Sequence, residues 1–180
     1  ESLSTFVKYE TNDAKIITYE VYKLIQSTKP IMDSFPYNFK WTGTHLPQID
    51  SDLQNVTDII DEHDPSIYDR AILHLGKPLY YNQSQVIHFK ATLNDTDQKS
   101  DTNVSNRITK EVDIIHYRII LKYKPNGYGK NAILERKKVD SIRGNYEKLI
   151  EIPFDDKTKS YEYHLLKPEL NYEYRICWER

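Results

Sequence analysis

The stretch 115–124 alternates along its length. Ile115, Tyr117, Ile119, Leu121 and Tyr123 fall on one side, and His116, Arg118, Lys122 and Lys124 on the other. A period of two is the signature of an extended strand with one face in a core, and no helix presents its side chains that way. Residues 85–93 repeat it: Ile87, Phe89, Ala91 and Leu93 share a face, and His88, Lys90 and Thr92 take the other. Pro125-Asn126-Gly127 ends the first stretch, because Asn and Gly tolerate the positive φ of a tight turn.

The kind of apolar residue agrees with the periodicity. The chain's 180 residues include 20 Ile and 15 Tyr but only 4 Ala. Branched and aromatic side chains lose χ1 freedom in a helix and pack well on a pleated surface. Leu, Ile, Val and Phe together number 46, about a quarter of the chain, above the ~20% below which disorder is the default. Further strands are expected at 68–75, 132–140, 148–152 and 161–165. Another is expected at 35–41, where Pro36 points to an edge position. Residues 12–28 fit either a strand or one short N-terminal helix capped by Asn12 or Asp13, and their branched and aromatic content favours strand. Residues 94–106 hold only Val104 as an apolar side chain and read as a long polar loop. The fold class is therefore mainly β, an antiparallel β-sandwich, with 1–180 read as one domain.

Charge and cysteine content narrow the function classes. The net charge of −2 gives no strong nucleic-acid signal, and no apolar run approaches the ~20 residues that span a bilayer. Cys177 is the only cysteine, so no internal disulfide can form, which favours a cytoplasmic setting. Four Asn-x-Ser/Thr acceptors, at Asn55, Asn82, Asn94 and Asn103, keep secretion as the alternative.

The C-terminal run Leu166-Lys167-Pro168-Glu169-Leu170-Asn171-Tyr172-Glu173-Tyr174-Arg175-Ile176 resembles the tyrosine corner of fibronectin type III and immunoglobulin-like sandwiches. The resemblance implies that Tyr172 is the corner residue, its hydroxyl bonding an upstream backbone group. Tyr174, Ile176 and Trp178 would then continue the inward face, with Glu173, Arg175 and Cys177 outward. It covers about a tenth of the chain, which is about twice as long as such a module. The ending Tyr174-Arg175-Ile176-Cys177-Trp178 is also similar to strand-rich modules of bacterial multidomain signalling or defence proteins.

Candidate chemistry is sparse. Asp61, Glu62, His63 and Asp64, beside Asp58, form the metal candidate; carboxylates of this kind gather calcium, and no other cofactor is called for. Asp95-Thr96-Asp97 opens like a calcium loop, but Lys99, Ser100 and Asn106 occupy positions that such a loop needs for ligands or Gly. Neither a Gly-x-Ser-x-Gly nor a His-Glu-x-x-His motif is present, and Cys177 has no local base. His88 and His116 would meet if their strands paired. A basic run with interleaved Tyr, including Lys130, Arg136, Lys138 and Tyr128, is the ligand-binding candidate together with Trp41. The sequence thus favours a non-catalytic accessory module of a larger bacterial protein, recognising a protein partner or small ligand. A secreted carbohydrate-binding or adhesin sandwich and a hydrolase with loop-borne Asp or His are the alternatives.

Overall fold

In the computed structural model, which describes residues 2–60, 68–139 and 144–180, the N-terminal segment is a hairpin rather than a helix. Asp13, the helix-cap candidate, accepts instead from the backbone N–H groups of Lys15 (2.9 Å) and Ile16 (3.1 Å). Ala14 sits at φ 62° and donates its N–H to Thr11 Oγ1. The turn is therefore built from side-chain acceptors, a role Asp and Thr fill more readily than a helix interior.

The strands run in chain order β1 (Ser2–Thr11), β2 (Ile16–Gln26), β3 (Ile31–Phe39), β4 (Gln48–Asp50), β5 (Asn55–Ile60), β6 (Asp69–Tyr80) and β7 (Ser84–Asn94). They continue as β8 (Asn103–Arg107), β9 (Ile114–Leu121), β10 (Ala132–Lys138), β11 (Glu147–Ile152), β12 (Ser160–Leu166) and β13 (Tyr172–Cys177). No helix occurs among the described residues. The fold is all-β, with antiparallel sheets as expected, but in three sheets rather than two. Their orders are β12-β9-β1-β2-β7-β4, β11-β10-β13-β8 and β3-β6-β5. The β1–β9 pair is parallel, from Ser4↔Ile114 to Thr11↔Leu121. Three sheets and a parallel pair depart from the seven antiparallel strands of an immunoglobulin-type sandwich.

The period-two faces converge as the sequence requires. Val7, Val21, Phe89, Tyr117 and Ile119 of the large sheet join Leu134, Tyr174 and Ile176 of the second sheet and Tyr37 and Leu73 of the third in one buried cluster. Pro36 lies in β3, an edge strand, where its missing N–H breaks no central ladder.

Three expectations are corrected. The polar loop is shorter than 94–106, because β8 pairs with β13 from Asn103↔Cys177 to Arg107↔Glu173. Lys124 does not point outward. β9 ends at Leu121, the chain turns, and the buried Lys124 ammonium donates to Tyr128 Oη (3.1 Å) and the Glu179 carbonyl (3.0 Å). The corner residue is Tyr174, not Tyr172. Glu169 donates its backbone N–H to the Tyr174 hydroxyl at 3.0 Å, and Tyr174 is 3% exposed. Tyr172 is only partly buried and lies beneath the Arg136 guanidinium, 4.6 Å from the ring centroid. The inward set Tyr174, Ile176 and Trp178 is buried as the alternation demands. The lock belongs to the inward-facing Tyr because only an inward ring can carry its hydroxyl back under the preceding turn.

Tyr174→Phe removes the acceptor for the Glu169 N–H and should cost about 1–2 kcal/mol in urea denaturation. Tyr172→Phe, whose hydroxyl has no hydrogen-bond partner among the described residues, should stay within about 0.5 kcal/mol of the parent.

Candidate binding cleft

Alternation along β2 places Tyr19, Val21 and Lys23 on the inner face of the large sheet. Packing β3 across that face leaves a cleft of about 810 Å³ where the three sheets approach one another. Its floor is aromatic. Tyr37 stacks on Phe89 at 4.2 Å between centroids, Phe39 tilts against the same ring at 5.3 Å, and Tyr19 meets it edge-on at 6.4 Å. Burial pushes the Tyr19 phenol up to about 12, with the Tyr37 hydroxyl partly offsetting the rise, and burial pushes Tyr37 well above the ordinary phenol range. Both hydroxyls stay protonated at neutral pH, and Tyr37 donates to Tyr19.

Lys23 is the unusual member of this wall. Its Nζ lies 5.3 Å from the Tyr37 centroid, and no described carboxylate acts on it. Burial lowers its pKa below the ordinary lysine value, because the charged form loses hydration that nothing replaces. The facing wall is neutralised. Arg175 stacks on Tyr146 at 3.4 Å and donates to Glu135 at 2.5 Å. Tyr146 donates its hydroxyl to Glu173, which also pairs with Arg107 at 3.7 Å. Arg107 lies over Tyr68 at 5.2 Å. The cleft therefore offers aromatic faces, a phenol donor and several lysine ammoniums, of which Lys23 is the one held against the aromatic floor.

Of the five ligand-binding candidates read from sequence, Trp41 lines this cleft and the other four do not. Trp41 donates its indole N–H to the His45 carbonyl at 2.9 Å, and a Cβ on Gly43 would come within 2.2 Å of the indole, so Gly43 is there to admit the ring. Lys130 is exposed, 3.8 Å from Glu179. Arg136 is held by Glu147 (3.1 Å) and Glu169 (2.5 Å). Lys138 is exposed at the end of β10, and Tyr128 packs edge-on against Phe154. Sequence reasoning missed Lys23, which sits among residues that also read as a helical stripe. The signal available was a lone Lys on the apolar parity of β2.

Asp61, Glu62, His63 and Asp64 lie outside the described residues. His88 and His116 do not pair, since β1 and β2 separate their strands. Among the described residues, the groups that converge are Glu20, Asp52 and His88, and His116, Glu162 and His164. His88 is fully buried although it lies on the outer face: the β4–β5 connection covers it, and Asp52 donates its backbone N–H to His88 Nδ1 at 2.8 Å. Cys177 donates to Glu135, and burial pushes its thiol up to about 12, so it carries no thiolate at neutral pH.

The loop opening at Asp95 is internally satisfied. The Asp95 carboxylate, 2% exposed, accepts from the Ser100 N–H (2.9 Å), the Ser100 hydroxyl (2.7 Å) and Arg180 (3.0 Å). Burial opposes its ionisation, but the bonds from Ser100 and Arg180 outweigh that and hold its pKa below the ordinary carboxylate value.

No protein-family model matches the chain, and no curated protein matches it. Among solved structures, the crystal structure of baculovirus P35 is similar over 100% of this chain and 97% of that one, with 11% identity and a TM-score of 0.45. The reading of the cleft rests on its own residues. No helix among the described residues is long and apolar enough to cross a membrane.

Asp95→Asn should destabilise the chain by about 2–3 kcal/mol at pH 7, because the variant keeps the burial but loses the ionic acceptor. A depressed carboxylate stabilises above its unfolded value, about 3.9, and that contribution fades as pH falls through the lower folded value. The gap between parent and variant should therefore close below about pH 4 in denaturation curves.

Proposed function

We propose that this chain is a non-catalytic binding module whose inter-sheet cleft takes a ligand, or a segment of a protein partner, bearing an acidic group on an aromatic or apolar body. The observation that carries the reading is Lys23, an ammonium held against an aromatic floor with no described carboxylate beside it. Burying a charge without a partner costs stability, so a retained one is best accounted for by a counter-charge that arrives with a ligand. The cleft volume, about 810 Å³, lies within the range of small-ligand sites. Tyr19, which accepts from Tyr37, supplies the hydroxyl donor that orients a carboxylate or sulfonate, and Phe89 and Trp41 supply apolar area. An accessory role in a larger bacterial protein, in the cytoplasm, belongs to the same proposal, and its setting draws support from the single free cysteine.

Ligand-observed NMR with a panel of aromatic carboxylates and sulfonates tests the reading. Members should bind the parent chain, weaken with added salt, and lose at least tenfold in affinity to Lys23→Met. Equal binding by Lys23→Met, or no binding by any acidic aromatic, overturns the proposal. The same variant should be more stable than the parent by about 1 kcal/mol, a Tm rise of roughly 2–4 °C. Because the folded Lys23 pKa lies below the unfolded one, the parent gains stability as pH rises between the two values, so its deficit should shrink towards pH 10.5.

A further inference from the structure

Strand register assembles a row of rings on the outer face of the large sheet. His164 pairs with His116, His116 with Phe6, Phe6 with Tyr22, and Tyr22 with His88. At the β12 edge this row ends in two imidazoles stacked at 4.0 Å with 14° between their planes. Glu162, two residues before His164 and so on the same face, brings Oε1 to 2.7 Å from His116 Nε2. One ligand atom from each of the three residues lies within 4.8 Å of the others.

We propose that His116, Glu162 and His164 bind a first-row divalent cation, zinc foremost, independently of the inter-sheet cleft. Near-parallel stacking keeps two imidazoles side by side at the edge of one sheet, and the carboxylate closes a third corner. Zinc takes imidazole nitrogens at about 2.0–2.1 Å and carboxylate oxygens at about 2.0–2.2 Å, so its ligand atoms sit about 3.3 Å apart in a tetrahedron. The observed spacings, 2.7 Å for the Glu162–His116 pair and within 4.8 Å for the set, bracket that value, and because imidazole lone pairs lie in the ring planes, one ring must turn out of the stack for both to face a single ion. Phe6, 4.8 Å from His116, forms an apolar base with no competing donor. His116 is 26% exposed and Glu162 46%, so the fourth position faces water. Nitrogen ligands select zinc, copper or nickel over magnesium and calcium.

The charged groups on this face bear on affinity. Arg118 lies opposite Glu162 in register and opposes a cation. Lys8, next along on β1, is neutralised by Glu10 and Glu20, and Lys122 by Glu10. Imidazole ligands must be unprotonated to bind a metal, so the affinity should be lower in acid than at neutral pH. A bound cation would tie the edge strand β12 to β9 and stabilise the fold by mass action.

Titration of the chelator-stripped chain with zinc chloride, followed by calorimetry, should show a site of micromolar affinity or better that magnesium chloride does not fill. His116→Ala and His164→Ala should each weaken it at least 30-fold and Glu162→Gln about tenfold, in keeping with the loss of a direct ligand. Cys177→Ser should leave it unchanged. Cobalt loading should give the visible bands of a tetrahedral centre, and both His variants should lose them. Zinc affinity no better than millimolar, or binding that survives both His variants, overturns the proposal. Both imidazoles sit at the surface end of the row, and the unliganded variants should keep the parent's Tm, which separates loss of ligands from loss of fold.

Discussion

The parallel register between β1 and β9 is the constraint on which the rest of the structure depends. It joins the N-terminal hairpin and its neighbours β7 and β4 to the β9–β12 pair, making one six-stranded sheet. Slipping that register by one residue would send Val7 and Tyr9 to solvent and Phe6 and Lys8 inward, because side-chain direction has a period of two. The same register sets both sites. It fixes the inner wall that carries Tyr19 and Lys23, and on the outer face it places Phe6 beneath His116.

The inner face shows how a strand-rich chain with a modest apolar content closes a core. Large rings do much of the filling: Tyr117, Tyr161 and Phe89 are among the largest fully buried side chains. The buried tyrosine hydroxyls need partners. Tyr161 donates to the Lys130 carbonyl at 2.8 Å and Tyr174 accepts from Glu169, whereas the buried Tyr117 hydroxyl has no partner among the described residues. Aromatic filling leaves irregular space at the sheet junction, and the cleft is that space. Lys23 stands at that junction, where burial lowers its pKa below the ordinary lysine value.

The two proposed sites use opposite physics. In the cleft, the Lys23 ammonium lies over the Tyr37 ring, and the proposed ligand would bring it an acidic group. At the β12 edge, imidazoles and a carboxylate lack a cation. They lie on opposite faces of one sheet, so occupancy of one can be measured without disturbing the other.

Strand type and inward parity were legible in the sequence, because a period of two depends on the backbone alone. Phe89, Leu121 and Tyr174 are buried for that reason. Partnership was not legible. Which imidazole meets which depends on strand order, so His116 found His164 rather than His88. Which Tyr locks the C-terminal turn depends on the path of Pro168 to Asn171, where Asn171 takes φ 64°. Lys23 acquired its meaning only when β3 was laid across it, and the count of sheets only when β8 joined β13. Local alternation is written residue by residue, whereas pairing between distant strands is decided by the packing of the whole chain.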